Sequence, residues 1–170
     1  LMGIGEPFDN YDNVMRFIDI INDDYGIMIG ARHITVSTSG IVPKIREFSK
    51  EKRQVNLAIS LHAPNDEIRS RIMKINKVYN IHDLLNAVKD YLKLSNRKVT
   101  FEYIMLKGIN DSRECSLELS HLLKGMNAYV NLIPYNETSH IEFEASDKNT
   151  IMNFYDVLKN KDYKSMLQEK

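Results

Sequence analysis

Short apolar runs alternate with helical stripes along the whole of this 170-residue chain, and that order constrains the fold more than any other feature. A strand-like opening, LMGI, leads into a stripe in which Val14, Phe17, Ile18, Ile21 and Tyr25 recur at helical spacing. Asn10 or Asp12 stands where a cap belongs, and Gly26 falls just past the end. HITVSTSG is short and β-branched, and Pro43 follows where a first helical turn would begin before KIREFSKEKR. VNLAISLHAP is a near-continuous apolar run, as expected of a strand covered on both faces. A long helical pattern bears Leu84, Leu85, Val88, Tyr91 and Leu92 on one face, and VTFEYIML is the next strand. NDSRECSLELSHLL opens on a capping Asn or Asp and puts Cys115, Leu119, Leu122 and Met126 on one stripe. AYVNLIPYN is the last expected strand, and Ser146 the expected cap of a final helix with Ile151, Phe154, Tyr155 and Leu158.

Strands alternating with helices imply a parallel sheet with crossover helices. Right-handed crossovers place every strand's C-terminal end on the same side, the rim where barrels and open α/β sheets bind ligands. Here the strand ends read Gly-Glu-Pro, Ser-Thr-Ser-Gly, Ser-Leu-His-Ala-Pro and Pro-Tyr-Asn.

At 43% hydrophobic residues one chain of this length can bury a single core, so residues 1–170 read as one domain. Lys+Arg and Asp+Glu balance at 23 each, so any polyanion site must be local. One cysteine excludes an internal disulfide and fits a reducing, cytoplasmic setting. No apolar run approaches the ~20 residues of a membrane span. Leu1 is not an initiator Met, and a chain that opens inside a strand reads as a piece of something longer.

Gly3-Ile-Gly5 suggests a dinucleotide loop, but the third glycine position is Phe8. Pro7 biases Glu6 to extended backbone, so no helix starts directly at the glycines. What remains is a strand end offering carbonyls and a carboxylate, acceptors suited to a ligand's ammonium group, or else a simple turn. Ser37, Thr38, Ser39 and Gly40 offer donors for a carboxylate or ribose, or merely cap the following turn. Ser60 and His62 end the next strand; a lone His is commonly packed, and Asn65 or Asp66 reads as the next helix's cap. Asn136 could pair with a ribose or an adenine edge, or form an Asn turn. Cys115 shares an apolar stripe away from the rim and reads as a buried structural thiol. Arg69, Arg71, Lys74 and Lys77 read as a solvated helix face or, near the rim, as contacts to a phosphate backbone. No zinc-ligand spacing and no Walker loop is present.

Taken in order and at their separations, MGIGEP, RHITVSTSG, LAISLHAPNDEIR, INKVYNI, FEYIMLKGINDS and NLIPYN closely resemble the RlmN/Cfr family, from Leu1 to about Asn136. Those are radical-SAM methyltransferases that modify an adenine of large-subunit ribosomal RNA. The resemblance fades through NETSHIEFEASD and is lost over KNKDYKSMLQEK. It implies an incomplete (β/α)6 radical-SAM barrel that begins at its second strand. It further implies that Gly5 and Glu6 hold the amino group of S-adenosylmethionine and that Ser37, Ser60, Leu61, His62 and Asn136 line the rest. STSG and GEP match the housekeeping type, which methylates C2, better than the resistance-associated type, which methylates C8. The resemblance puts the ligands of a 4Fe-4S cluster upstream of Leu1 and the methyl-carrying cysteine downstream. The parent is therefore expected to be an enzyme and this piece inactive, with no catalytic and no metal-binding residue of its own. Two rivals stand beside this reading. One is another radical-SAM or α/β-barrel enzyme acting on a small molecule. The other is a non-catalytic RNA-binding module, which the zero net charge and lack of aromatic–basic clustering disfavour. A tRNA substrate stays open, and an unpaired edge at Leu1 to Ile4 leads us to expect self-association.

Overall fold

The computed structural model describes residues 1, 5–136 and 143–160, and the backbone of a strand at 164–167. Strands β1 (Thr35–Thr38), β2 (Asn56–Ser60), β3 (Val99–Met105), β4 (Ala128–Pro134) and β5 (Lys164–Leu167) form one sheet in the order 1-2-3-4-5. Every neighbouring pair is parallel. Sequential order without a reversal, joined by right-handed crossovers, puts the connecting helices on one face and leaves the other for a barrel interior. This is the expected incomplete α/β barrel.

Register divides the strands into two rows of opposite character. Val36, Leu57, Ile59, Val99, Phe101, Tyr103, Met105, Val130 and Leu132 join the core with Ile45, Phe48, Leu84, Val88, Leu119 and Phe154 from the helices. On the inner face Ser37 lies level with Ala58, Thr100 and Tyr129, and one step higher Ser60 lies level with Glu102 and Asn131. Strand side chains alternate between faces, so a polar inner face follows directly from the sequence period of two.

The helices are α1 (Tyr11–Asn22), α2 (Val42–Lys50), α3 (Asp66–Ile72), α4 (Ile81–Ser95), α5 (Arg113–Leu122) and α6 (Lys148–Asn160). Asn65 caps α3 through Ile68 N–H at 3.0 Å, Asn80 caps α4 through Asp83 N–H at 2.9 Å, and Pro43 lies in the first turn of α2. Between α3 and α4 a 3₁₀ turn covers Lys74–Lys77, so the expected long helical pattern is two helices and a turn.

Several expectations are corrected. The buried stripe of α1 is Tyr11, Met15, Ile18 and Ile21, while Phe17 is 44% exposed and Tyr25 lies beyond the helix end, where the helical period no longer holds. Asn10 occupies the cap position of α1, but its Oδ1 accepts from Asn13 Nδ2 at 2.6 Å instead. α5 is capped by Ser112, whose Oγ accepts from Cys115 N–H at 3.2 Å, because Asn110 and Asp111 are engaged in the preceding turn. Asp147 caps α6 through Thr150 N–H at 2.9 Å, and Ser146 instead donates to Asp111 Oδ2 at 2.7 Å. β5 adds a strand after AYVNLIPYN, the last one expected. Met2 to Ile4 of the expected first strand lie outside the described residues. Leu1 itself donates its N–H to Thr35 O and accepts from Ser37 N–H, the alternation of a parallel ladder on the outer edge of β1.

Candidate functional site

Gly5 and Glu6 meet the C-terminal end of β1. Glu6 is extended (φ −101°, ψ 111°), as Pro7 requires, and Pro7 opens a 3₁₀ turn, Pro7–Asn10, directly after it. The Glu6 carboxylate accepts from Phe8 N–H at 3.0 Å, capping that turn, and from Ser39 N–H at 2.6 Å, crossing to β1. Phe8 anchors the turn by packing its ring 5.6 Å from Phe48 of α2. So Glu6 is a held group rather than a bare one. A carboxylate has roughly four acceptor positions, which leaves room for a ligand ammonium. Gly5 has φ +115°, a backbone angle that favours glycine, and a side chain there would meet nothing within 4 Å.

Along the same edge Ser37 and Ser60 are half-buried on the inner face. Thr38 is buried, and its Oγ1 accepts from Gly40 N–H at 3.1 Å, so this hydroxyl caps the turn. Leu61 turns into the core: its side chain is enclosed, its N–H donates to Glu102 O at 3.1 Å, and its carbonyl accepts from Arg69. The Leu61 side chain is therefore enclosed in the core, and what it offers the rim is its carbonyl, which keeps a second acceptor position beside the bond from Arg69.

His62 has φ 59°, in the left-handed region. Its N–H donates to Glu102 O at 3.2 Å, its carbonyl accepts from Asn110 Nδ2 at 2.8 Å, and its Nδ1 accepts from Ile104 N–H at 3.1 Å. Burial, with the charge of Arg69 second, lowers its pKa to about 4. The ring is thus neutral at pH 7, and with Nδ1 accepting, the proton sits on Nε2 as a donor. Asn136 is exposed two residues beyond β4, on the same edge of the sheet.

The four cations separate. Arg71, Lys74 and Lys77 are exposed around the α3 end and the 3₁₀ turn. Arg69 is fully buried, so the expected solvated or phosphate-contacting role is corrected: its guanidinium is taken up by protein acceptors.

Glu102 and Asn131 were not singled out from the sequence. Asn131 Nδ2 donates to Glu102 Oε2 at 2.6 Å on the inner face, level with Ser60. Burial raises the pKa of Glu102, and the bond from Asn131 partly opposes the shift. The signal was an acid within VTFEYIML, which a period of two sets opposite Phe101 and Tyr103, away from the helices. Cys115 is buried on α5, in agreement with a structural thiol. Among the described residues no group of three or more His, Cys, Asp or Glu is arranged to hold a metal ion, and no helix is long and apolar enough to cross a membrane.

A parallel sheet with helices on one face, a polar inner face and polar groups on its C-terminal edge defines part of an α/β barrel, a fold in which that edge is where ligands bind. The chain belongs to the radical SAM superfamily, which it matches over residues 1–119. It is 57% identical over 158 residues to the probable dual-specificity RNA methyltransferase RlmN of Spiroplasma citri, covering 93% of this chain and 45% of that protein. It is 59% identical over 162 residues to the protein of the same name from Listeria monocytogenes serotype 4b (strain F2365), covering 94% of this chain and 44% of that one. The chain thus spans less than half the length of these curated relatives. A radical SAM methyltransferase from Sphaerobacter thermophilus superposes with a TM-score of 0.96 at 42% identity, over 99% of this chain and 49% of the other. A domain of pyruvate-formate lyase-activating enzyme from Bacteroides vulgatus shares the fold alone, at 11% identity and a TM-score of 0.73, over 99% of this chain and 97% of that domain.

Proposed function

We propose that this chain forms the S-adenosylmethionine-binding part of a cytoplasmic radical SAM methyltransferase that methylates adenine C2 in large-subunit ribosomal RNA. The observation that carries the reading is the meeting of Glu6, Ser37, Ser60 and His62 on one rim, above a polar inner face. These groups suit the cofactor chemically: a carboxylate with spare acceptor positions for its ammonium, and hydroxyls with a neutral imidazole donor for its carboxylate and ribose. Asn136 completes the set from the end of β4. S-adenosylmethionine supplies the methyl group and, beside a 4Fe-4S cluster, the radical chemistry; this chain's residues bind and orient it. Cys115 is buried on α5, and our reading assigns it neither to the cluster nor to methyl transfer. The relatives are named as dual-specificity RNA methyltransferases, which supports RNA as the substrate class, and our reading includes tRNA beside ribosomal RNA. Arg71, Lys74 and Lys77, exposed beside the end of β2, are the groups we assign to RNA phosphates.

The test uses the full-length, cluster-containing protein. Replacing Glu6→Gln is expected to raise the Kd for S-adenosylmethionine about tenfold, or about 1.4 kcal/mol. The unfolding midpoint should fall somewhat, because the Gln amide keeps an acceptor for only one of the two backbone N–H groups, so the Kd is read on the folded protein. Unchanged affinity by calorimetry removes Glu6 from the site. Labelled methyl transfer to ribosomal RNA, followed by nucleoside mass spectrometry, should place the label at adenine C2. Label on a small molecule instead would favour the rival enzyme class.

A further inference from the structure

Arg69 heads the large side chains that the protein encloses completely, and its guanidinium lies directly under the rim. Nη2 donates to Ser39 O at 2.7 Å and to Ser60 O at 3.1 Å, and Nε donates to Leu61 O at 3.1 Å. One side chain therefore takes backbone carbonyls from the C-terminal ends of both β1 and β2. Nη1 donates to Asn76 Oδ1 at 2.9 Å. Asn76 in turn donates to Asp66 Oδ1 at 2.9 Å and Ser70 Oγ at 2.8 Å, and Asp66 Oδ1 also accepts from Ile81 N–H at 2.8 Å. Gly40 makes room for this arrangement: φ is +113°, and a Cβ there would lie 3.3 Å from Arg69 Nη2.

A buried cation bonded only to neutral acceptors is an expensive way to fill a core. Desolvation lowers the pKa of Arg69 to about 10, with Asp66 opposing the shift, so the group stays charged at pH 7. Packing needs no such group. Holding carbonyls on two strand ends at fixed spacing does, because the guanidinium is a rigid planar fork. Ser39, whose carbonyl Arg69 takes, gives its N–H to Glu6. Glu6 and Ser37 on one side, and Ser60 and His62 on the other, are thereby referenced to the same side chain.

We infer that Arg69 is the positioning residue of the cofactor rim, fixing the separation of its Glu6–Ser37 half from its Ser60–His62 half. The inference rests on the reading of this rim as the S-adenosylmethionine site. In the full-length, cluster-containing protein, Arg69→Lys keeps the charge but not the fork. It is expected to raise the Kd for S-adenosylmethionine at least tenfold at unchanged binding stoichiometry, and to raise KM for the cofactor more than it lowers kcat. A merely structural residue would lower the fraction of protein that binds and leave the Kd of the folded fraction alone. Wild-type Kd in folded R69K protein overturns the inference. If R69K does not fold, Asn76→Ala, which leaves the carbonyl bonds of Arg69 in place and removes its Nη1 partner together with the Asn76 bonds to Asp66 and Ser70, decides: a Kd raised about threefold supports the role, and an unchanged Kd overturns it. Glu6→Gln measured alongside separates the two levels. If E6Q binds like wild type, the rim is not the cofactor site and both readings fall; if E6Q weakens binding and R69K does not, only the positioning role falls.

Discussion

At the scale of the residue, His62 shows how a site side chain is conditioned by what surrounds it. Its backbone is left-handed, its Nδ1 is committed to Ile104 N–H, and its pKa is lowered to about 4. An unfolded histidine titrates near 6.5. Above that value both states are neutral and the stability is fully present. As pH falls from about 6.5 to about 4, the unfolded chain binds a proton that the folded one refuses, and stability is lost; below about 4 the loss levels off. The loss amounts to at most about 3 kcal/mol. Glu102 acts in the opposite sense, since its raised pKa makes the folded state keep a proton, so a comparison between variants is needed to cancel it. His62→Asn tolerates the left-handed backbone. Its urea midpoint should fall distinctly less than that of wild type between pH 7 and pH 4.5. Equal falls would mean that His62 is protonated in the folded protein.

At the scale of the element, the turn from β3 into α5 separates two kinds of polar residue that look alike in a sequence. Ser112 only caps the helix, through Cys115 N–H. Asn110 is fully buried: its Oδ1 accepts from Leu106 N–H at 2.8 Å, and its Nδ2 donates to Ile104 O at 2.7 Å and His62 O at 2.8 Å. That last bond ties the turn to the rim. Ser112→Ala should cost about 1 kcal/mol, the usual value of a helix cap. Asn110→Ala strands three backbone groups and should cost about 3 kcal/mol or more. Urea unfolding of the two variants distinguishes them, and equal losses would reduce Asn110 to an ordinary turn residue.

At the scale of the whole molecule, the helices cover one face of the sheet and leave apolar groups uncovered at the α1 flank. Phe17 is 44% exposed, Ile20 56%, Ile27 65% and Met28 67%. Ile29 N–H donates to Ile21 O at 2.8 Å, which brings this segment back to the end of α1, and large exposed apolar groups there favour association. We predict that the 170-residue chain by itself pairs with a second copy through this flank, and that Phe17→Glu with Ile20→Lys weakens the pairing. Light scattering across a concentration series checks this: a strict monomer, or an oligomer indifferent to the double substitution, would place the contact elsewhere.

Much of the architecture was legible in the residues. β1 to β4, the parallel order and the polar strand ends all follow from periods of two and 3.6 and from turn residues, which report on burial among near neighbours in the chain. Glu6, Ser37, Ser60 and His62 were visible for the same reason, as polar groups closing apolar runs. What only the tertiary structure decided are the relations between distant positions. Whether Arg69 faces water or the interior depends on carbonyls at Ser39, Ser60 and Leu61, on two different strands. Glu102 and Asn131 are partners because β3 and β4 pair in one register. β5 runs through Lys164–Leu167, a segment with little intrinsic strand preference, and is a strand because its backbone completes the ladder of β4. A local pattern states which side of an element is apolar; the partners that satisfy a buried charge or an open edge exist only once the chain has closed on itself.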